Sequence, residues 1–138
     1  MRWRLARRTS PRSKIEHVER PPTQYVEVGD VDVGYQVHGS GPTDLLWCFG
    51  LGSNIDHQMD IPPVVEFLRG AGSYSRLIVF DRRGTGVSDA ISSSAIPTWE
   101  EWAEDIGSVL DAVGSTQAAI LASLDAGPIE RASTLLCS

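Results

Sequence analysis

Apolar residues follow two rhythms along this chain. Tyr25 to Val28 alternates with period two, Gly29-Asp30 interrupts it as a turn, and Val31 to Val37 resumes a strand-like run, so an N-terminal β-hairpin is expected. After the loop Gly39-Ser40-Gly41-Pro42 the alternation stops. Leu45 to Phe49, Arg76 to Phe80 and Ala118 to Ala122 are nearly continuous apolar runs, the pattern of strands covered on both faces of a parallel sheet. Between them lie two helical patterns. Pro62-Pro63, following Asp60 and Ile61, suits a first helical turn, where the missing proline N–H would have no partner anyway. A short helix over Val64 to Leu68 is therefore expected, ended by Gly70 and Gly72. Thr98 and Glu101 form a capping box. Behind it, Trp102, Ile106, Val109, Leu110 and Val113 line one helical face as far as Gly114. Strands alternating with helices at this spacing give right-handed βαβ units and an α/β fold with a parallel sheet, preceded by the antiparallel hairpin.

Ligands on such sheets bind beyond the carboxyl ends of the strands, which singles out three loops: Gly50 to Asp60, Asp81 to Asp89, and Ser123 to Pro128. In the first, glycines directly after a buried strand leave backbone N–H groups able to face a developing oxyanion, with Leu51 the candidate donor; a plain tight turn is the competing reading. The second reads Asp81-Arg82-Arg83-Gly84-Thr85-Gly86-Val87-Ser88. This run resembles the Asp-x-Arg-Gly-x-Gly-x-Ser signature of the α/β-hydrolase superfamily. The resemblance implies a structural role: Gly84 and Gly86 form a compact turn, Asp81 and Arg83 tie loops together, and Ser88 closes the motif.

The resemblance extends from about Tyr25 to Pro128. It is closest to a bacterial group of hydrolase domains sometimes fused to nucleotide-cyclase domains, although nothing cyclase-like is present. It implies a partial α/β-hydrolase fold, the hairpin followed by parallel strands and helices with the C-terminal half absent. Residues 1–22 are then a tail and residues 23–138 the N-terminal part of the domain. It also places the third loop at the nucleophile elbow, where a sharp strand-to-helix turn between small residues exposes the nucleophile. The group usually reads Gly-x-Ser-Glu-Gly-Gly-Pro there, and an ungapped match through Gly127-Pro128 puts Leu124 at the serine position. An elbow with no nucleophile is one reading. Asp125, in the frame Ser123-x-Asp125-x-Gly127, is another, and Ser123 in a shifted register a third. The oxyanion donors implied are the N–H groups of Leu51 and of Ala126, the residue after Asp125.

The fold orders its triad as nucleophile, acid, histidine, and no histidine follows Asp125. His17, His38 and His57 lie in the tail, at the end of a hairpin strand and in the first loop; only His57 could approach the site. The expectation is an ester-type hydrolase by ancestry that is inactive alone, from a truncated or frame-disrupted gene. Its substrate, if active, would be a small ester-like molecule. The chemistry needs a nucleophile, a base and oriented N–H groups, and no cofactor. A second reading of a different class is an interaction module. The strand Ala118 to Ala122 would be a bare edge, apolar on both faces, able to pair with a partner strand. A Rossmann-type nucleotide site is disfavoured, because Gly50-Leu51-Gly52 carries only two fingerprint glycines and follows the third strand.

Charge and composition change this picture little. Residues 1 to 20 carry seven of the 12 Lys/Arg and two acids, a net of +5, and the remainder nets −11. The tail reads as a disordered, solvated terminus, and the acidic body argues against nucleic acid. Arg7-Arg8 precedes no apolar segment that would make an export signal, and no run is long enough to span a membrane. His, Asp and Glu show no metal-ligand spacing. Cys48 and Cys137 form neither a disulfide framework nor a metal pair, which suits a cytoplasmic setting.

Overall fold

The computed structural model of the protein describes residues 19–123. Five strands and three helices follow in the order β1 (Gln24–Val28), β2 (Val31–His38), β3 (Asp44–Cys48), α1 (Ile55–Gln58), α2 (Pro62–Gly72), β4 (Arg76–Phe80), α3 (Trp99–Ala112) and β5 (Ala118–Ala122). They form one sheet of spatial order β1-β2-β4-β3-β5. The hairpin β1–β2 is antiparallel, and β2 joins β4 antiparallel. The strands β4, β3 and β5 run parallel. Gly29, at φ 66, supplies the left-handed backbone that the two-residue hairpin loop needs.

The strand β4 explains the two-sided burial. Leu77, Ile78, Val79 and Phe80 are all buried, and their alternation sends them to opposite faces. Ile78 and Phe80 join Leu46, Cys48, Val33 and Tyr35 beneath Ile106 and Val109 of α3. Leu77 and Val79 join Trp47 beneath Leu68 and Ala71 of α2 and Ile55 and Met59 of the α1 region. A helix on each side therefore excludes water from the sheet centre, which accounts for apolar runs without alternation.

Three elements differ from the sequence expectation. The helix α2 does not stop at Gly70 but runs through Gly72. An interior glycine costs about 1 kcal/mol against alanine, and burial of Leu68 and Ala71 on either side of it outweighs that. Its end is fitted against the end of β2: a Cβ on Gly39, itself at φ 76, would meet the carbonyl oxygen of Gly72 at 2.0 Å. Within the first loop, one helical turn forms because the Asn54 side chain accepts from the His57 N–H at 3.0 Å. The third difference concerns β5, whose faces are unequal. Ile120 and Ala122 pack partly into the α3-side core, whereas Ala119 is exposed and Leu121 is 40% exposed on the α2 side.

Residues 19 to 23 are not detached from the domain. Arg20 pairs with Asp60 and donates to the Asp56 carbonyl oxygen at 3.4 Å. Beside it, Asp56 accepts from the Thr23 hydroxyl at 2.5 Å and from the buried Gln36 amide at 2.8 Å.

Candidate functional site

Because β4, β3 and β5 are parallel neighbours, Phe80, Cys48 and Ala122 stand in line across the sheet. The three loops selected from the sequence leave from that line. In the first, Gly50 (φ 101) and Gly52 (φ 79) flank Leu51, whose side chain is exposed, and the Ser53 N–H closes the turn on the Gly50 carbonyl oxygen at 3.4 Å.

Asp81, at the end of β4 and with no exposed surface, fastens this turn to the second loop. One carboxylate oxygen accepts from the Ser53 hydroxyl at 2.5 Å. The other accepts from the Ile55 N–H and the Val87 N–H, each at 3.0 Å. Gly86, at φ 53, is required here: a Cβ would lie 1.9 Å from that same oxygen. Burial pushes the Asp81 carboxyl above its ordinary range, and the bonds from Ser53, Val87 and Ile55 work in the opposite direction. The Gln58 amide donates to the Ser53 hydroxyl oxygen at 3.2 Å, leaving the buried Gln58 carbonyl oxygen without a partner.

The rest of the second loop is braced to two further elements. Arg83 grips the fully buried Asp105 of α3 through its side chain (2.7 to 3.2 Å) and its backbone N–H (3.2 Å). Pairing with Asp105 holds the Arg83 guanidinium above its usual range. The Arg82 guanidinium lies over the Trp102 ring, 4.4 Å from its centre. Toward β2, the Ser88 hydroxyl accepts from the Gly34 N–H at 2.8 Å and donates to the Asp81 carbonyl oxygen. Asp89 exchanges bonds with the Asp32 backbone, its N–H donating at 2.9 Å and its carboxylate accepting at 2.8 Å. Gly84, at φ 83, donates its N–H to the Asp89 carbonyl oxygen at 2.8 Å.

The third loop begins at Ser123. Its N–H continues the ladder to the Cys48 carbonyl oxygen at 3.0 Å. Its hydroxyl accepts from the Trp47 indole at 3.1 Å and donates to the Phe49 carbonyl oxygen at 3.3 Å. That hydroxyl is engaged at the junction of β3 and β5, with its one hydrogen directed at a backbone acceptor. Leu124, Asp125 and Ala126 lie outside the described residues.

The histidines are dispersed. His38 pairs with Leu77 near the start of β4, at the sheet end opposite the three loops. Its Nε2 is buried without a partner, and burial lowers its pKa. His57 is exposed on α1, and His17 is outside the described residues. Among the described residues no three His, Cys, Asp or Glu side chains group as a metal site, and no helix is long and apolar enough to cross a membrane.

Solved structures share this fold. The epoxide hydrolase of Vigna radiata superposes with a TM-score of 0.69 at 20% identity, over 83% of this chain and 35% of its own. The fold is the α/β-hydrolase fold. An enzyme that degrades N-acyl homoserine lactones matches at 25% identity and TM-score 0.62, over 81% of this chain and 40% of its own. An enol-lactonase from Burkholderia xenovorans matches at 20% and 0.58, over 72% and 36%. The chain thus carries part of the α/β-hydrolase fold, spanning little more than a third of the length of these proteins. No protein-family model and no curated protein sequence matches it.

Sequence reading missed Asp105, Ser53 and Gln58 as members of the braced network. Asp105 did leave a signal: an acid beside Ile106 and three residues after Trp102 sits on the apolar face of α3, where a carboxylate needs a buried partner. Ser53 and Gln58 left none, since polar residues in a loop are ordinary.

Proposed function

We propose that this chain carries the oxyanion turn and the nucleophile strand of a hydrolytic site for a small ester or lactone, and that the 138-residue chain alone does not turn over. The observation that carries the reading is Asp81, whose carboxylate fixes the Gly50–Ser53 turn and the Gly86–Ser88 loop at the carboxyl edge, beside the end of β5. In this role Leu51 and Ala126 present N–H groups to the oxyanion. Asp81, Arg83, Gly84, Gly86 and Ser88 are scaffold. The lactone class is supported by two of the structural neighbours, one a lactone-degrading enzyme and one an enol-lactonase.

Inactivity in isolation follows from three residues. Leu124 stands at the usual serine position and has no nucleophilic atom. The Ser123 hydroxyl is engaged by Trp47 and Phe49. Asp125 has no histidine after it in this chain to activate water against a covalent intermediate. The reaction class requires no cofactor, and the proposed setting is the cytoplasm. Purified chain with short-chain p-nitrophenyl esters or a small lactone is expected to stay at the blank rate. Turnover abolished by Asp125→Asn would overturn the inactive reading, and turnover abolished by Ser123→Ala would overturn the reading of that hydroxyl as well.

A second reading is favoured by β5, which among the described residues pairs only with β3. An extended segment of a partner protein adding to its free edge would complete the sheet by backbone hydrogen bonding. Sedimentation showing a folded monomer, unchanged by candidate partners, would count against it.

A further inference from the structure

We propose that Asp81 is a proton-linked positioning residue: whether its carboxylate carries a proton sets the conformation of the Gly50–Ser53 turn and the Gly86–Ser88 loop together. Both segments end on one carboxylate, through Ser53 on the first side and Val87 on the second, with the Ile55 N–H tying in the start of α1. The group has no exposed surface, so water cannot substitute for any of these donors.

Among the described residues, the charged groups named around it are of like sign or engaged with other groups. From α1, Asp56 faces it and disfavours its charge. Arg83 is bound to Asp105 of α3, and the Arg82 guanidinium stacks on Trp102. From β2, the Gly34 backbone approaches the main chain of Asp81, not the carboxylate. Burial and Asp56 thus favour the protonated form, and three hydrogen bonds favour the ionised form. Protonation reverses the Ser53 bond, since the Asp81 O–H must then donate to the hydroxyl oxygen and the hydrogen of Ser53 must turn elsewhere. Gln58 supplies the alternative: its amide already touches the Ser53 oxygen, and its buried carbonyl oxygen is unpartnered. A half-rotation of that amide lets the same two residues satisfy either protonation state with different geometry at Ser53.

The catalytic consequence rests on Gly50–Ser53 being the oxyanion turn. The coupling itself is read without substrate, so its failure and a failed hydrolase reading are distinguishable. The experiment is a pH titration of the 138-residue chain followed by the backbone amide resonances of Ile55 and Val87. Both are expected to move with one shared midpoint above the ordinary carboxylate value of 3.8. Ser53→Ala, which removes a bond to the charged form, is expected to raise that midpoint, and Asp56→Asn to lower it. Asp81→Asn is expected to abolish the shared transition; the Ser53 and Asp56 variants test the coupling even if that protein does not fold. Separate midpoints for the two amides, or a midpoint unmoved by Ser53→Ala, would overturn the proposal.

Discussion

The ends of β4 and β5 face the same way, with only β3 between them in a five-stranded sheet, yet they are held very differently. The segment after β4 is fastened to the first loop by Asp81, to α3 by Arg83 and Asp105, and to β2 by Ser88 and Asp89. Among the described residues the end of β5 has β3 alone on one side, with Ser123 tied to Cys48 and Trp47 of that strand and to Phe49, the residue after it. Rigidity at this edge of the sheet comes from the loop after β4, and Asp81 lends it to the Gly50–Ser53 turn. A motif can therefore be demanding in sequence while contributing only position.

This contrast can be broken most severely at Asp105. Removing one member of a buried ion pair strands the other, so Asp105→Ala is expected to cost about 3–5 kcal/mol, seen as a large loss in the thermal midpoint followed by circular dichroism. Next come the glycines. Gly86→Ala drives a Cβ into the Asp81 carboxylate, whereas Gly52→Ala meets nothing within 4 Å and suffers only its backbone angle of φ 79. Urea unfolding should show Gly52→Ala losing about 1–2 kcal/mol and Gly86→Ala clearly more. Equal losses would mean that the close fit around Asp81 has no energetic weight.

A smaller effect is expected from His38. Its folded pKa lies below the ordinary 6.5, so on acidification the unfolded chain takes up the proton first. Stability should then fall as pH drops through 6.5 toward the folded value, and His38→Gln should flatten that limb in urea midpoints measured at pH 7.5 and 5.5. Asp81 acts in the opposite sense at lower pH, because a raised carboxyl pKa makes the folded state bind its proton first. The smallest effect belongs to β5: Leu121→Lys, at a side chain already 40% exposed, should change stability by only about 0.5 kcal/mol. A loss as large as that of a buried β4 residue such as Ile78 would show that this face is covered.

The strands and α3 were legible because their signals are local: an apolar run, a capping box, a period of 3.6. The capping box at Thr98 and Glu101 appears with both of its hydrogen bonds. Less was legible where distant parts of the chain decide the outcome. Whether Gly70 ends α2 depends on what Leu68 and Ala71 bury, and whether Ser123 offers a free hydroxyl depends on Trp47, 76 residues earlier. Asp81 was identified as a tie between loops without the identity of what it ties, since Ser53 is 28 residues away and carries no pattern of its own.

The strand order has a consequence for how the chain is made. Synthesis delivers β1 and β2 first, and each is the other's partner in the finished sheet. The strand β3 emerges with no neighbour: β2 reserves its other edge for β4, and β3 itself is flanked by two strands not yet translated. The Asp44–Arg76 bridge that joins β3 to β4 spans 32 residues, and the Trp47–Ser123 contact that joins it to the end of β5 spans 76. During that interval one of the most apolar segments of the protein waits unpaired outside the ribosome, which makes β3 the point at which the unfinished chain is most open to wrong pairing.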